Sequence, residues 1–169
     1  MILIALGANL PSKAGPPRAT LEAALVDLAG ESVRIVRRSH WYVSAPNPPA
    51  DQPHYVNGVA VVETERSADD LLRLLHMLER RYGRVRTVPN AARTLDLDLI
   101  DYHGMIRNGP PGPTLPHARA HLRRFVLTPI AEIAPQWRHP VQRKTASELA
   151  ADLPAAELNM LKEPVEKER

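Results

Sequence analysis

At 169 residues the chain has the length of one domain, since compact domains cluster at roughly 100 to 200 residues and bury enough surface at that size to fold unaided. With 44% apolar residues it is globular, and the absence of cysteine excludes a disulfide framework, a thiolate nucleophile and cysteine-ligated zinc. A net charge of +3 is too small to argue for a nucleic-acid partner, no apolar run approaches the ~20 residues that span a bilayer, and the expectation is a soluble, cytoplasmic monomer without a membrane partner.

Ile2 to Leu6 is a continuous apolar run that reads as a buried strand, too short and too poorly flanked by basic residues for a signal peptide. Pro16 and Pro17 suit a helix entry. Leu21, Ala24, Leu25 and Leu28 recur at helical spacing until Gly30 supplies a stop. Val33, Ile35, Trp41 and Val43 mark extended chain on either side of a kink, and a proline-rich loop runs from Ala45 to His54. Tyr55 to Thr64 is β-branched and apolar, a third strand antiparallel to the second. Ser67 with Asp70 makes an acidic variant of a capping box ahead of a helix whose apolar face carries Leu71, Leu74, Leu75, Leu78 and Tyr82, ended by Gly83. Arg84 to Thr94 has no periodicity, and Leu95 to Asp101 alternates as a strand. The order β-α-β-β-α-β is the split βαβ, or ferredoxin-like, α+β plan: an antiparallel sheet with helices on one face. Further on, His117 to Ile133 is helical with an interruption near Pro129, and residues 145–152 form a short helix. The single domain spans 1–153, and 154–169 is polar enough to be a frayed tail.

The chemistry concentrates in Arg93-Thr94-Leu95-Asp96-Leu97-Asp98-Leu99. Strand alternation sends the three leucines to the core and puts Asp96 and Asp98 on the opposite face, with Cα atoms about 6.5–7 Å apart. Two convergent carboxylates offer hard oxygen ligands to Mg²⁺, an ion that commonly takes one or two carboxylates plus substrate phosphates. Solvated aspartates on a half-exposed strand are the plainer reading, but aspartate is disfavoured in strands. Asp101 falls on the other face and is excluded. Arg80, Arg81, Arg84, Arg86 and Arg93 crowd fourteen residues. The first two read as a solvated helix face, whereas Arg84, Arg86 and Arg93 lie in a loop beside the acidic pair, where guanidinium forks suit phosphate. No phosphate-binding P-loop motif is present. Tyr55 and Asn57 share a strand face, so a ring and an amide could meet a flat heterocycle together; packing roles serve equally well. His117 alone, and Phe125 alone, would be read as structural.

Taken together, Leu6-Gly7-Ala8-Asn9-Leu10, Asp51-Gln52-Pro53-His54-Tyr55-Val56-Asn57, Glu79 with Gly83-Arg84-Val85-Arg86, Arg93 through Asp98, Leu115-Pro116-His117 and Arg123-Arg124-Phe125 resemble, in order, the 6-hydroxymethyl-7,8-dihydropterin pyrophosphokinases of folate biosynthesis. The resemblance implies a ferredoxin-like sandwich with added C-terminal helices and transfer of pyrophosphate from ATP to a pterin alcohol. It implies that Asp96 and Asp98 hold two Mg²⁺ ions, with Asp96 also near the pterin hydroxymethyl group. Tyr55 and Phe125 would stack on the pterin, and Asn57 and the backbone around Ser44 would read its edge. Arg84, Arg93, Arg123 and His117 would contact ATP, with Leu99 bordering the adenine; Glu79 matches a family position without a role. The loop Thr87 to Ala92 lacks the Trp and the extra basic residue that many members carry. The alternative from another class is an RRM-like nucleic-acid module, which the same element order builds, although Ile2 to Leu6 has none of the aromatics on which an RRM stacks bases. A scaffold that kept the fold but lost activity is a third reading.

Overall fold

The structure is a computed structural model describing residues 1–86, 88–154 and 161–162. It contains β1 (Ile2–Ala8), α1 (Pro17–Gly30), β2 (Arg34–Arg38), β3 (Tyr42–Ser44), β4 (Tyr55–Glu63), α2 (Ala68–Arg81), β5 (Asp96–Tyr102), a 3₁₀ turn (Ala120–Leu122), α3 (Arg124–Ile133), α4 (Ala146–Ala151) and β6 (Leu161–Lys162). The extended stretch with the expected kink is two strands, both antiparallel to β4, so the sheet runs β5-β1-β4-β3-β6 with β2 beside β3 on β4. All its pairings are antiparallel, which is the ferredoxin-like order. Leu161–Lys162 adds to the β3 edge inside the stretch expected to fray.

Local chemistry sets the helix ends. The Ser67 hydroxyl accepts from Asp70 N at 3.1 Å, capping α2, and Gly83 takes a φ of +80° after its last turn, a conformation that glycine adopts without strain. Gly30 is the last helical residue of α1, not its stop; the left-handed residue after it is Ser32. Near Pro129 the expected interruption does not occur. The break falls at Arg123, which is extended between the 3₁₀ turn and α3, and Pro129 lies inside α3.

The strands bury both faces. Ile2, Ile4 and Leu6 of β1 join Ala60, Val62, Leu97 and Leu99 against α1 and α2, while Leu3, Ala5, Val59, Val61 and Ile100 pack against α3, α4 and Trp137. Helices therefore cover two faces, not one: the C-terminal helices occupy the side that an RRM leaves open for bases. That coverage gives the RRM-like reading no support. Among the described residues, no helix is long and apolar enough to cross a membrane.

Candidate active site

Register places the site. Gly7 of β1 lies between Asp96 on one side and Asn57 on the other, and one residue pair further in, Ala5 lies between Asp98 and Val59. Tyr55 pairs with Ser44 at the outer end of the same face. A floor of glycine and alanine is thus walled by two carboxylates, an amide, a ring and a hydroxyl. The missing side chain at Gly7 matters: a Cβ there would stand 2.8 Å from Asn57 Oδ1. Asn57 Nδ2 donates to Ser44 Oγ at 2.8 Å, leaving its carbonyl turned over the glycine.

The roof comes from distant sequence. The start of α3 brings Arg123 and Phe125, the 3₁₀ turn brings Leu122, and Arg119 precedes it; with Tyr55 and Arg93 they enclose a cleft of about 240 Å³. Each ring carries a cation: the Arg93 guanidinium lies 5.9 Å from the Tyr55 ring and that of Arg123 5.5 Å from Phe125. A second cleft of about 310 Å³ adjoins it, sharing Asn90, Arg93 and Arg119 and adding Arg84 and Arg86. The arginine-dense loop thus lines its own basic basin.

Electrostatics separates the two aspartates. Asp96 receives Arg84 Nη1 on Oδ1 and Arg93 Nη1, at 2.8 Å, on Oδ2. Burial alone would raise its pKa, but the two guanidiniums outweigh burial and hold the carboxyl below the usual range. Asp98 goes the other way. Burial, then the charge of Asp96, push it up against the weaker pull of His117 and Arg123. Those two partners both sit 3.6 Å from Asp98 Oδ2, beyond hydrogen-bond reach, and among the described residues its carboxylate accepts no hydrogen bond. His117 is held by its backbone N–H to Ile100 O at 2.9 Å. Its Nδ1 accepts from Arg119 N at 3.2 Å, which puts the ring proton on Nε2, facing Asp98; burial keeps the ring neutral.

Asp96, Asp98, Arg84, Arg93, Arg123, His117, Tyr55, Asn57, Ser44 and Phe125 therefore assemble in one region. Two residues depart from expectation. The Leu99 side chain is 3% exposed in the core under α1 and α2, on the face opposite the carboxylates, and lines neither cleft. Asp101 lies on the carboxylate face, not the opposite one: the ladder skips Ile100, pairing Leu3 with Asp101 and Ile4 with Leu99, and this bulge flips it. It stays outside the site, accepting from Trp137 Nε1 at 2.7 Å and Gly104 N at 2.9 Å. Asn9, which the sequence offers as part of a motif but without a role, is 2% exposed and joins both loops: it accepts from Arg93 N at 2.8 Å and donates to Gln52 Oε1 and Pro53 O, each at 2.9 Å. An asparagine following an otherwise apolar strand was the signal available. Gln52 in turn donates to Asn90 O at 3.1 Å, latching the proline-rich loop to the arginine loop.

The family model for 7,8-dihydro-6-hydroxymethylpterin-pyrophosphokinase matches residues 3–135. The chain is 39% identical over 151 residues to the 2-amino-4-hydroxy-6-hydroxymethyldihydropteridine pyrophosphokinase of Pseudomonas aeruginosa, covering 89% of this chain and 90% of that one. It is 44% identical over 133 residues to the Haemophilus influenzae protein of the same name, covering 78% and 79%. Among solved structures, Plasmodium falciparum HPPK-DHPS with pteroate superposes with a TM-score of 0.68 at 12% identity, a likeness of fold alone; the match takes in 89% of this chain and 43% of that longer one. On the family match and these identities, the chain belongs to the 7,8-dihydro-6-hydroxymethylpterin-pyrophosphokinase family.

Proposed function

We propose that this chain transfers the pyrophosphoryl group of ATP to 6-hydroxymethyl-7,8-dihydropterin, a step of folate biosynthesis, and that Mg²⁺ is required. The observation that carries the reading is the row Asp96, Gly7, Asn57, flanked by Tyr55 and Phe125 and opening onto an arginine-lined basin. A flat bicycle would meet both rings in the cleft that Tyr55 and Phe125 line together with Asn57 and Ser44. The basin next to it takes the triphosphate: Arg84 and Arg93 line it and supply forked donors, Arg123 adds another from the neighbouring cleft, and His117, with its ring proton on Nε2, stands beside Asp98.

The donor set fits a divalent cation, because Asp98 is an under-coordinated carboxylate pressed against a second one. Asp96 and Asp98 would hold it, two ions being the full complement we propose, and when bound it neutralises charge on the phosphates and acidifies a coordinated oxygen. The chain's own contribution is positioning and charge. The hydroxymethyl oxygen attacks the β-phosphorus and gives up its proton to solvent, the bond from that phosphorus to the α,β-bridging oxygen breaks, and AMP leaves with the electron pair. Arginine side chains aimed at the β-phosphate and the leaving oxygen stabilise charge where it accumulates, which is most of what phosphoryl-type transfer asks of a protein.

Product identity is the test. With ATP, Mg²⁺ and the reduced pterin alcohol, AMP accumulates in step with pterin diphosphate. ADP instead, or nucleotide turnover indifferent to the pterin, refutes the assignment.

A further inference from the structure

Glu79 lies outside both clefts and has no part in the chemistry above, yet it is a carboxylate withdrawn from water next to the site. It stands near the end of α2, 2% exposed, behind β5. A buried carboxylate persists when donors saturate it. Here Oε1 accepts from Leu97 N at 2.9 Å and Arg84 Nη1 at 3.1 Å, and Oε2 accepts from Arg86 Nη2 at 2.8 Å. The same Arg84 nitrogen donates to Leu95 O at 3.1 Å and to Asp96 Oδ1. One buried guanidinium is therefore shared between two carboxylates with different surroundings. Glu79 is sealed between helix and sheet, whereas Asp96 opens to the cleft.

That sharing has a consequence for cation binding. Each oxygen of Asp96 already accepts from an arginine, so a cation that takes the remaining lone pairs shares the carboxylate with two guanidiniums, and repulsion between like charges favours loosening of those arginines. Arg93 is near the cleft and can follow a phosphate. Arg84 is 10% exposed at its side chain, and without a second anion its charge would have either to stay on Asp96 or to face the incoming cation uncompensated. Resting on the function proposed above, we infer that Glu79 is a positioning residue, a fixed counter-charge that holds Arg84 in place while Asp96 exchanges arginine for metal. Its charge is the operative property. The hydrogen bond to Leu97 N is an anchor that a neutral amide would keep.

Two variants of the full-length chain separate charge from shape. Glu79→Gln keeps length and loses charge; Glu79→Asp keeps charge and loses length. Calorimetry with a non-hydrolysable α,β-methylene ATP analogue, with and without Mg²⁺, reads the magnesium-dependent gain in affinity, and a parallel titration with pterin alone reads the other cleft. The gain falls about tenfold in Glu79→Gln, the scale of losing a group that supports a metal ligand, and stays near wild type in Glu79→Asp, while pterin affinity is unchanged in both. An unchanged gain in Glu79→Gln overturns the inference, and so does a comparable loss in Glu79→Asp. Should Glu79→Gln prove too unstable to titrate, Glu79→Asp decides alone by the same criterion. A wild-type chain with no magnesium-dependent gain overturns the activity reading itself, whereas a normal wild type with an indifferent Glu79→Gln overturns this inference only.

Discussion

Asp96 and Asp98 are chemically identical and two residues apart, yet their surroundings oppose each other. Arg84 and Arg93 stabilise the ionised form of Asp96, so its contribution to stability is present above the unfolded carboxylate value and is lost as pH falls through the lowered folded one. Asp98 is raised by burial and by Asp96, so its ionised form is a cost to the fold at neutral pH. Asp96→Asn should then destabilise by about 1–3 kcal/mol, because it strips a buried guanidinium of its partner. Asp98→Asn should stabilise by about 1 kcal/mol, raising Tm by about 2–4 °C. Both should lose turnover by about 10²–10³-fold, the scale of removing one charge-stabilising group. Thermal melts and rate assays on the pair check this; equal and opposite failure to separate, with both variants falling in Tm, would contradict the electrostatic assignment. The spacing of these two residues was legible in the sequence because strand alternation is a local rule. Their difference was not, since it comes from an arginine twelve residues from Asp96 and from the burial of Asp98 beside that carboxylate.

At the scale of elements, the site depends on strand register. Gly7 sits between Asp96 and Asn57 because β1 pairs with both β4 and β5, and its bare Cα is what lets a ligand approach the floor. Gly7→Ala places a methyl carbon 2.8 Å from Asn57 Oδ1, which forces the amide away from Ser44. The expected result is a cost of about 1–3 kcal/mol from overpacking and a KM for the pterin that rises more than kcat falls. Steady-state kinetics with each substrate varied in turn would expose the opposite pattern, a KM change confined to ATP. Helices and long strands were readable from apolar period and capping residues such as Ser67. Three features were not. The bulge that skips Ile100 turns Asp101 over, the extended Arg123 interrupts the helical run instead of Pro129, and Ser32 rather than Gly30 takes the left-handed turn after α1. Each is decided by what the segment packs against, which no local pattern encodes.

Across the whole molecule, the sheet works as a partition. One face is a conventional core under α1 and α2; the other is half core, under α3 and α4, and half open, where Tyr55, Asn57, Asp96 and Asp98 emerge. The element order predicted the first layer. That the C-terminal helices roof the second face was not legible, because helical period says which stripe is apolar and not which surface receives it. Stability and function are accordingly separable by face. On the closed face, Tyr82 donates to Asp27 Oδ2 at 2.8 Å, and burial together with that carboxylate pushes its phenol up to about 12. A raised phenol contributes fully below the unfolded value near 10 and progressively less as pH climbs through the folded one. Wild-type stability should therefore drop by up to about 2 kcal/mol more than that of Tyr82→Phe between pH 10 and pH 12, with turnover at neutral pH little changed. Denaturant melts across that window check it, and parallel alkaline limbs would contradict it.

In the proposed function, Asp96 and Asp98 together hold the divalent cation that binds the nucleotide. Crystals grown with manganese, the non-hydrolysable ATP analogue and the pterin test it most directly through anomalous scattering. Manganese is expected about 2.1 Å from an oxygen of each aspartate and in contact with phosphate, with Arg84 retained on Glu79. Manganese bound to phosphate alone, with Arg84 and Arg93 still on Asp96, would contradict it.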